Sequence, residues 1–200
     1  MNLNQLTTGT ILGLAVILVP DLCGQSVTWR IDPLHSSAQF SVRHMIISTV
    51  RGQFGGVKGA VLFDAKNPAS SSVEATIDCA IINTGEPKRD ADLKSAEFFD
   101  VKRYPVMTFK SKTVTAVSQG KLKVTGDLTI NATSREVILD VEGPTPPIRD
   151  DREKIGVSAV TKVSRKEFGI LYNPIMEAGG VAVSDEVSIV LEIELIRTQN

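Results

Sequence analysis

Apolar and polar residues alternate along almost the whole chain from Val27 onward, and this period-two pattern limits the fold more than any other feature. Successive side chains of a β-strand point to opposite faces, so the alternation predicts strands with one apolar and one polar face. The cleanest stripe runs over every second residue of 73–81, and the last one runs over 187–195. The pattern predicts an all-β chain of roughly eight or nine long strands, mostly linked as hairpins.

An open sheet of this size would leave unpaired strand edges that invite aggregation, and closing the sheet removes them. The interior of an eight-stranded barrel can be filled by side chains or can hold one small ligand. The apolar faces carry mostly Val, Ile, Ala and Leu, and only 5% of the residues are aromatic, so few large side chains are present to fill the centre. We therefore predict an extended antiparallel eight-stranded barrel with an apolar cavity. A two-sheet sandwich with a solid core is the alternative.

One helix is predicted within this all-β pattern, over residues 87–97. The proline that opens it lies where a first-turn proline is tolerated. Asp90 and Lys94 are four residues apart, in the order that favours a surface ion pair. The helical pattern stops before two adjacent aromatic residues, Phe98 and Phe99, which need an apolar environment. We expect the helix near the barrel opening, with the two aromatic rings at its mouth.

The first 24 residues have the pattern of a signal peptide. Residues 11–19 form an apolar run with one glycine, which is too short to span ~30 Å of hydrocarbon, and Leu22-Cys23-Gly24 offers a cleavage site. We therefore predict a signal peptide over residues 1–24, a barrel domain over residues 25–200, and a periplasmic or secreted location. A lipoprotein signal at Cys23, and an N-terminus that is not a signal, are the alternatives.

The charges of the predicted mature chain balance. The sequence has 22 Lys and Arg residues and 23 Asp and Glu residues, and Asp21 is the only charged residue among the first 24. Removing that segment leaves equal numbers of both signs. The mature chain as a whole therefore has no field of one sign that would attract nucleic acid or anionic lipid.

The sequence contains none of the usual catalytic motifs, such as G-x-S-x-G, H-E-x-x-H, C-x-x-C or a phosphate-binding glycine loop. His35 and His44 are nine residues apart, so on one unbroken strand they would point to opposite faces. A metal shared between them would also need further ligands, and no cysteine partners are present. We predict no catalysis, no metal site and no cofactor. An enzyme that acts on a lipophilic substrate through Asp or His at the mouth is the alternative.

Four stretches of the chain together resemble the YceI-like family of bacterial periplasmic, lipocalin-like, polyisoprenoid-binding proteins. They read WRIDPLHSSAQFSVRHM, RDADLKSAEFFDVKRYPVMTFKS, GDLTINATSREVILDVE and VTKVSRKEFGI, and the similarity as a whole runs from about Thr28 to Leu195. Two positions depart from the family pattern. Asp92 stands where the family usually has a histidine before the helix leucine, and the turn glycine expected near Ala132 is absent.

The resemblance implies a protein that binds, stores or transports a long apolar lipid inside the barrel without catalysis. The ligand would be a polyisoprenoid, an isoprenoid quinone or a fatty-acyl chain. The expected partner is this lipid alone, with no nucleic acid and no integral membrane span, and a homodimer is left open. A solid-core structural or stress-response interaction module is the competing function.

The candidate ligand-binding residues fall into three groups. Closure places the apolar strand faces inside, so the predicted cavity wall consists of Phe40, Val42, Val61, Phe63, Ile77, Met107, Phe109, Leu128, Ile130, Leu139 and Leu191. The predicted lid consists of Phe98, Phe99 and Phe168. Two polar residues, His35 and Arg89, are candidate contacts for a ligand head group.

Overall fold

A computed structural model describes residues 26–173 and 182–198, and the dominant feature of this part of the chain is one twelve-stranded antiparallel sheet. In chain order β1 to β12 span Val27–Ile31, Ser37–His44, Ser48–Phe54, Lys58–Phe63, Ser72–Asp78, Ile82–Asn83, Val106–Ser118, Lys121–Ile130, Thr133–Glu142, Ile148–Arg149, Glu153–Ser164 and Val183–Arg197. The α-helix, α1, spans Pro87–Lys94, and short 3₁₀ helices span Pro68–Ser70, Cys79–Ile81 and Arg165–Phe168. The predicted signal peptide lies outside the described residues.

The sheet closes on itself because β11 pairs with β9 on one side and with β12 on the other. The closed ring runs through β11, β9, β8, β7, β5, β4, β1 and β12. Of the four remaining strands, β2, β3 and β6 follow one another outward from β12, and β10 pairs with β11. The predicted closed, eight-stranded antiparallel barrel is therefore confirmed, and the sandwich alternative is wrong.

The barrel is long because several short strands continue one another. β1 pairs with the last part of β12 and β2 with its first part, so β2 continues β1 along the same side of β12. The two are separated at residues 32–36, where Pro33 lacks an N–H for the ladder. There the Asp32 carboxylate accepts a hydrogen bond from the Leu34 N–H at 3.0 Å. This local hydrogen bond replaces the ladder and creates the break.

The helix α1 lies at the end of the barrel where β2 ends and β12 begins. It packs against β6, and Asn131 in the β8–β9 turn donates a hydrogen bond to the Phe98 carbonyl at 2.6 Å. The helix is shorter than the predicted range of 87–97, because after Lys94 the chain turns back on itself. The Asp100 N–H donates to the Ser95 carbonyl at 2.8 Å, and this turn directs the two adjacent phenylalanines inward.

The predicted apolar stripe over residues 73–81 ends earlier in the structure than in the pattern. The Asp78 carboxylate accepts a hydrogen bond from the Ala80 N–H at 2.8 Å and caps the 3₁₀ helix that begins at Cys79. Cys79 is buried, whereas Ile81 is 49% exposed. The prediction that both belong to one strand face is therefore wrong, because a side-chain cap competes with the strand at this point.

The β8–β9 turn places two residues other than glycine in the left-handed region, Asn131 at φ 50° and Ala132 at φ 58°. This conformation costs an L-residue about 1–2 kcal/mol, and glycine adopts it freely. We expect Ala132→Gly to raise the free energy of unfolding by about 0.5–1 kcal/mol in urea denaturation, after the larger unfolded-state entropy of glycine is subtracted. The same change at the exposed strand residue Ala116 should lower it. A loss of stability in Ala132→Gly would contradict this account of the turn.

Candidate functional site: an apolar cavity inside the barrel

A cavity of about 300 Å³ lies inside the barrel, at the lower end of the range typical of ligand pockets. On β11 its lining residues run from Ile155 to Val163, a distance of ~26 Å along the strand at ~3.3 Å per residue. A strand tilt of ~40° makes this ~20 Å along the barrel axis. The lining side chains are apolar apart from Gln39, Ser71, Thr161 and Arg165. The cavity therefore has the length and chemistry that suit a chain-shaped apolar molecule.

Several wall residues keep accessible surface although they face inward, and this shows that the interior is not fully packed. Phe109 lies beside Leu128 on one side and Ala75 on the other, and all three are only half-buried. The next residue of the same strand, Lys110, points outward and binds Glu74 at 2.8 Å. Since alternate residues face opposite sides, the accessible area of the three apolar side chains faces the cavity.

The cavity brings together all of the predicted wall and lid residues. Those that line it are Phe40, Val42, Val61, Phe63, Ile77, Phe98, Phe99, Met107, Phe109, Leu128, Ile130, Leu139, Phe168 and Leu191. Their contact with a ligand stays a prediction.

Aromatic side chains gather at the end of the cavity next to α1. The Phe99 ring lies edge-on to Phe54, with centroids 5.3 Å apart, and Phe54 in turn lies 5.7 Å from Phe40. The Phe98 ring packs on Tyr172 at 4.9 Å. The sequence prediction did not include Phe54 or Tyr172. Together these rings cover the part of the opening beside α1.

Arg165 is the one charged side chain among the described cavity-lining residues, and sequence reasoning missed it as a site residue. It is 6% exposed, and its guanidinium donates hydrogen bonds of 2.8 to 3.1 Å to the backbone carbonyls of Ile170, Tyr172, Val183 and Ser184. Burial lowers the pKa of the guanidinium, and the Asp185 carboxylate at 3.5 Å opposes that shift. Arg165 thus ties the segment after the last 3₁₀ helix to the start of β12 at the cavity mouth.

The two predicted head-group residues, Arg89 and His35, are not among the residues that line the cavity. Arg89 donates to the Thr84 hydroxyl at 2.8 Å and to the Thr84 carbonyl at 3.0 Å, which fastens α1 to the end of β6. His35 lies at the β1–β2 break, where its Nδ1 is 2.9 Å from the Asp32 carboxylate. A head-group contact from either residue stays a prediction.

His35 belongs to a small charged cluster that the sequence did not reveal. Its partners are Asp32 and Glu194, and the potential ligand atoms of the three residues lie within 4.8 Å of one another. Such spacing would suit a metal ion, but the Lys154 ammonium lies 3.9 Å from the Glu194 carboxylate and opposes a cation there. The hydrogen bond to Asp32, and then the charge of Glu194, raise the pKa of His35. The hydrogen bond from His35 is also the main reason that the pKa of Asp32 is lowered.

This cluster predicts a pH-dependent contribution to stability. A raised pKa in the folded state means that His35 stabilises the fold below its unfolded pKa of about 6.5, and that the contribution is lost as the pH rises through the folded pKa. We expect the melting temperature of the wild type to exceed that of His35→Gln at about pH 5.5, with the difference shrinking by about pH 8.5. In an Asp32→Asn background the same histidine change should have a smaller pH dependence, because only Glu194 then raises the pKa of His35. Parallel pH profiles of wild type and His35→Gln would refute the pairing.

A second cavity, of about 620 Å³, is an open polar cleft at the other end of the barrel. Its lining includes Arg149, Glu153 and Arg197, and both arginines already bind the Glu153 carboxylate at 3.0 and 2.8 Å. Its charged side chains are paired, and all of them except Glu153 are exposed, so this cleft does not suit an apolar ligand.

The barrel and its cavity agree with the comparisons to known proteins. The model of the YceI-like domain matches residues 29–195. The chain belongs to the YceI-like family. A UPF0312 protein of Staphylococcus aureus (strain N315) is 35% identical to this YceI-like protein over 158 residues, which cover 78% of this chain and 90% of the relative.

Two solved structures share the fold of this YceI-like protein. BcnA of Burkholderia cenocepacia aligns with a TM-score of 0.70 and 24% identity, over 82% of this chain and 98% of BcnA. A polyisoprenoid binding domain from Saccharophagus degradans, implicated in plant cell wall breakdown, aligns with a TM-score of 0.61 and 14% identity, over 86% of this chain and 99% of that domain. Within residues 26–173 and 182–198, no helix has the length and apolar character to cross a bilayer.

Proposed function

We propose that this YceI-like protein binds a long apolar lipid inside its barrel, and stores or carries it without changing it chemically. The ligand class is a polyisoprenoid, an isoprenoid quinone or a fatty-acyl chain. The observation that carries the proposal is the long cavity whose wall is almost entirely apolar. The polyisoprenoid binding domain from Saccharophagus degradans has the same fold, which supports this ligand class.

Burial of the ligand chain is sufficient to explain affinity. Each methylene group removed from water contributes ~0.8 kcal/mol, so ten well-packed methylenes contribute ~8 kcal/mol before the cost of ordering the chain. A directed polar site is not needed for binding of this strength. The proposal therefore predicts that affinity depends on chain length more than on the head group.

The chemistry of the wall supports a carrier rather than an enzyme. General acid–base catalysis needs titratable groups within hydrogen-bond reach of the reacting atoms. Arg165 has the one ionisable side chain among the described lining residues, and its guanidinium already binds four backbone carbonyls. A periplasmic or secreted location completes the proposal, and the pattern of the first 24 residues supports it.

A series of saturated fatty acids of increasing length tests the proposal. The purified protein is first extracted with organic solvent, and the extract is analysed by mass spectrometry for a co-purified lipid. The refolded, lipid-free protein is then titrated with each acid. We expect affinity to rise about fourfold for each added methylene until the cavity is full. No uptake, or affinities that do not depend on chain length, would rule the proposal out.

A further inference from the structure

The turn between β2 and β3 exposes three consecutive apolar side chains. Met45, Ile46 and Ile47 are 41%, 70% and 80% exposed. Runs of exposed apolar residues are avoided on soluble surfaces unless they have a function. Met45 and Ile46 also have positive φ angles of 51° and 65°, a conformation in which a β-branched residue such as isoleucine is a clear outlier. The dipeptide Asn-Gly adopts such a turn without strain. The turn therefore carries apolar side chains at positions where the backbone conformation favours other residues.

This turn lies beside a second exposed apolar segment. The Met45 N–H donates to the Ala182 carbonyl at 2.8 Å, and the Ala182 N–H donates to the Asn173 side chain at 3.0 Å. The two residues before Asn173, Leu171 and Tyr172, are 64% and 41% exposed. The hydrogen bonds therefore hold the two apolar segments side by side. We call the five residues of these segments the apolar rim, and they are Met45, Ile46, Ile47, Leu171 and Tyr172.

The apolar rim borders the end of the cavity. Val42 on β2 and Val183 on β12 both line the cavity, close to where the β2–β3 turn begins. On the other side, the Tyr172 ring of the rim packs on Phe98, which also lines the cavity. The apolar wall inside the barrel thus continues onto the outer surface at this end.

The hairpin that carries the rim is basic. Residues 37–54 include Arg43 and Arg51, both of them exposed, and no Asp or Glu. The Arg43 guanidinium donates to the Ile46 carbonyl and to the Thr49 hydroxyl, so its charge is held at the tip of the turn. Asp185 and Glu186, at the start of the paired strand β12, are bound by Lys166 and Lys162 at 2.8 Å each, so the two arginines set the charge beside the turn. An apolar tip flanked by exposed basic residues matches the interface of an anionic bilayer.

We propose that the apolar rim inserts into the surface of an anionic bilayer and holds the cavity mouth against it. The inference rests on the proposed function, since a bilayer is where a long apolar ligand is dissolved. The rim side chains enter the region between head groups and acyl chains, and Arg43 and Arg51 meet the phosphates. A lipid tail then moves between membrane and cavity without crossing bulk water.

Sedimentation with vesicles tests this docking. The purified protein is mixed with vesicles of equal parts phosphatidylglycerol and phosphatidylcholine, or of phosphatidylcholine alone. We expect tighter binding to the anionic vesicles, weakened by added salt. The double variant Ile46→Ser/Ile47→Ser should bind about tenfold or more weakly, because two apolar side chains no longer insert. Arg51→Gln should weaken binding by about fivefold. The N-terminal segment is common to all variants and cancels in the comparison.

The matched control is Ile148→Ser on β10, at the other end of the barrel, where the side chain is 69% exposed against 70% for Ile46. It should bind vesicles as the wild type does. Equal vesicle binding by the wild type and the double variant overturns the proposal. A wild-type dimer that the double variant dissociates, with vesicle binding unchanged, also overturns it and makes the rim a contact between copies.

Fatty-acid uptake in solution separates this inference from the proposed function. The Ile46 and Ile47 side chains are not among those that line the cavity, so the double variant should take up fatty acid with wild-type affinity. Vesicle binding that depends on the rim, in a protein that takes up no fatty acid, would support docking and refute only the proposed cargo.

Discussion

We expect Ala75→Trp to weaken the binding of a long-chain fatty acid by about 200-fold. Ala75 lies in the middle of the cavity wall on β5, paired with Phe109 on one neighbouring strand and Gly59 on the other. An indole ring at this position would occupy space otherwise taken by about four methylene groups of the ligand. Their loss costs about 3.2 kcal/mol at ~0.8 kcal/mol each, and 1.4 kcal/mol corresponds to a factor of ten. Titration calorimetry with the same fatty acid measures the change.

The control for this change is Ala60→Trp on the adjacent strand β4. Ala60 is exposed and pairs with Glu74 and Arg30, so the same indole would lie on the outside of the barrel. It should leave affinity unchanged. Urea denaturation of Ala75→Trp adds a second measurement, since a hollow interior accepts the ring with little loss of stability, whereas overpacking a solid core costs about 1–3 kcal/mol or more. Wild-type affinity in Ala75→Trp would show that the ligand does not occupy this cavity.

The sequence was sufficient to predict the barrel and its wall, because two constraints act on the same residues. Period-two alternation assigns Phe109 and Leu128 each to the apolar face of a strand, and closure of the sheet leaves only the inside for that face. These two constraints therefore predict the wall residues from the sequence alone. A similar argument predicts the position of Phe98 and Phe99. Two apolar rings that follow a polar helix need an apolar environment, and the barrel mouth provides it.

The details that the sequence did not reveal depend on local competition for hydrogen bonds. Asp78 stops β5 by capping a 3₁₀ helix, and Asp32 interrupts the strand formed by β1 and β2 by binding the Leu34 N–H. In both places the apolar alternation continues past the point where the ladder ends. Alternation predicts which face a residue would take in a strand. It does not predict whether the backbone N–H and C=O groups form hydrogen bonds with a neighbouring strand or with a side chain.

Arg165 shows a different limit, because its role exists only in three dimensions. In the sequence it is one charged residue in a segment that reads as irregular. Its hydrogen-bond acceptors lie five to nineteen positions away and come from two segments that the barrel brings together, so no local pattern marks the residue as buried. The stretch VTKVSRKEFGI, which resembles the family, contains this arginine, but the resemblance assigns it no function.

We expect Arg165→Met to lower the free energy of unfolding by about 3–5 kcal/mol, the largest effect of any single change considered for this protein. Methionine can fill part of the space but donates no hydrogen bonds, so four backbone carbonyls lose a charged donor in a buried setting. Hydrogen bonds to charged groups contribute about 1.5–3 kcal/mol each, and the four are not additive because the segment can partly relax toward water. Urea denaturation followed by fluorescence measures the loss.

Lys166→Met provides the matched control, since Lys166 is the next residue and binds the same Asp185 carboxylate at 2.8 Å from a 44% exposed position. A surface ion pair of this kind contributes at most about 1 kcal/mol, so this variant should remain close to the wild type. If Arg165→Met fails to fold, Arg165→Lys should fold with an intermediate loss, because an ammonium group can reach fewer of the four carbonyls. Amide hydrogen exchange near Ile170 and Val183 should then quicken in Arg165→Lys and not in Lys166→Met. Equal stabilities of Arg165→Met and Lys166→Met would mean that packing alone holds these two segments together at the cavity mouth.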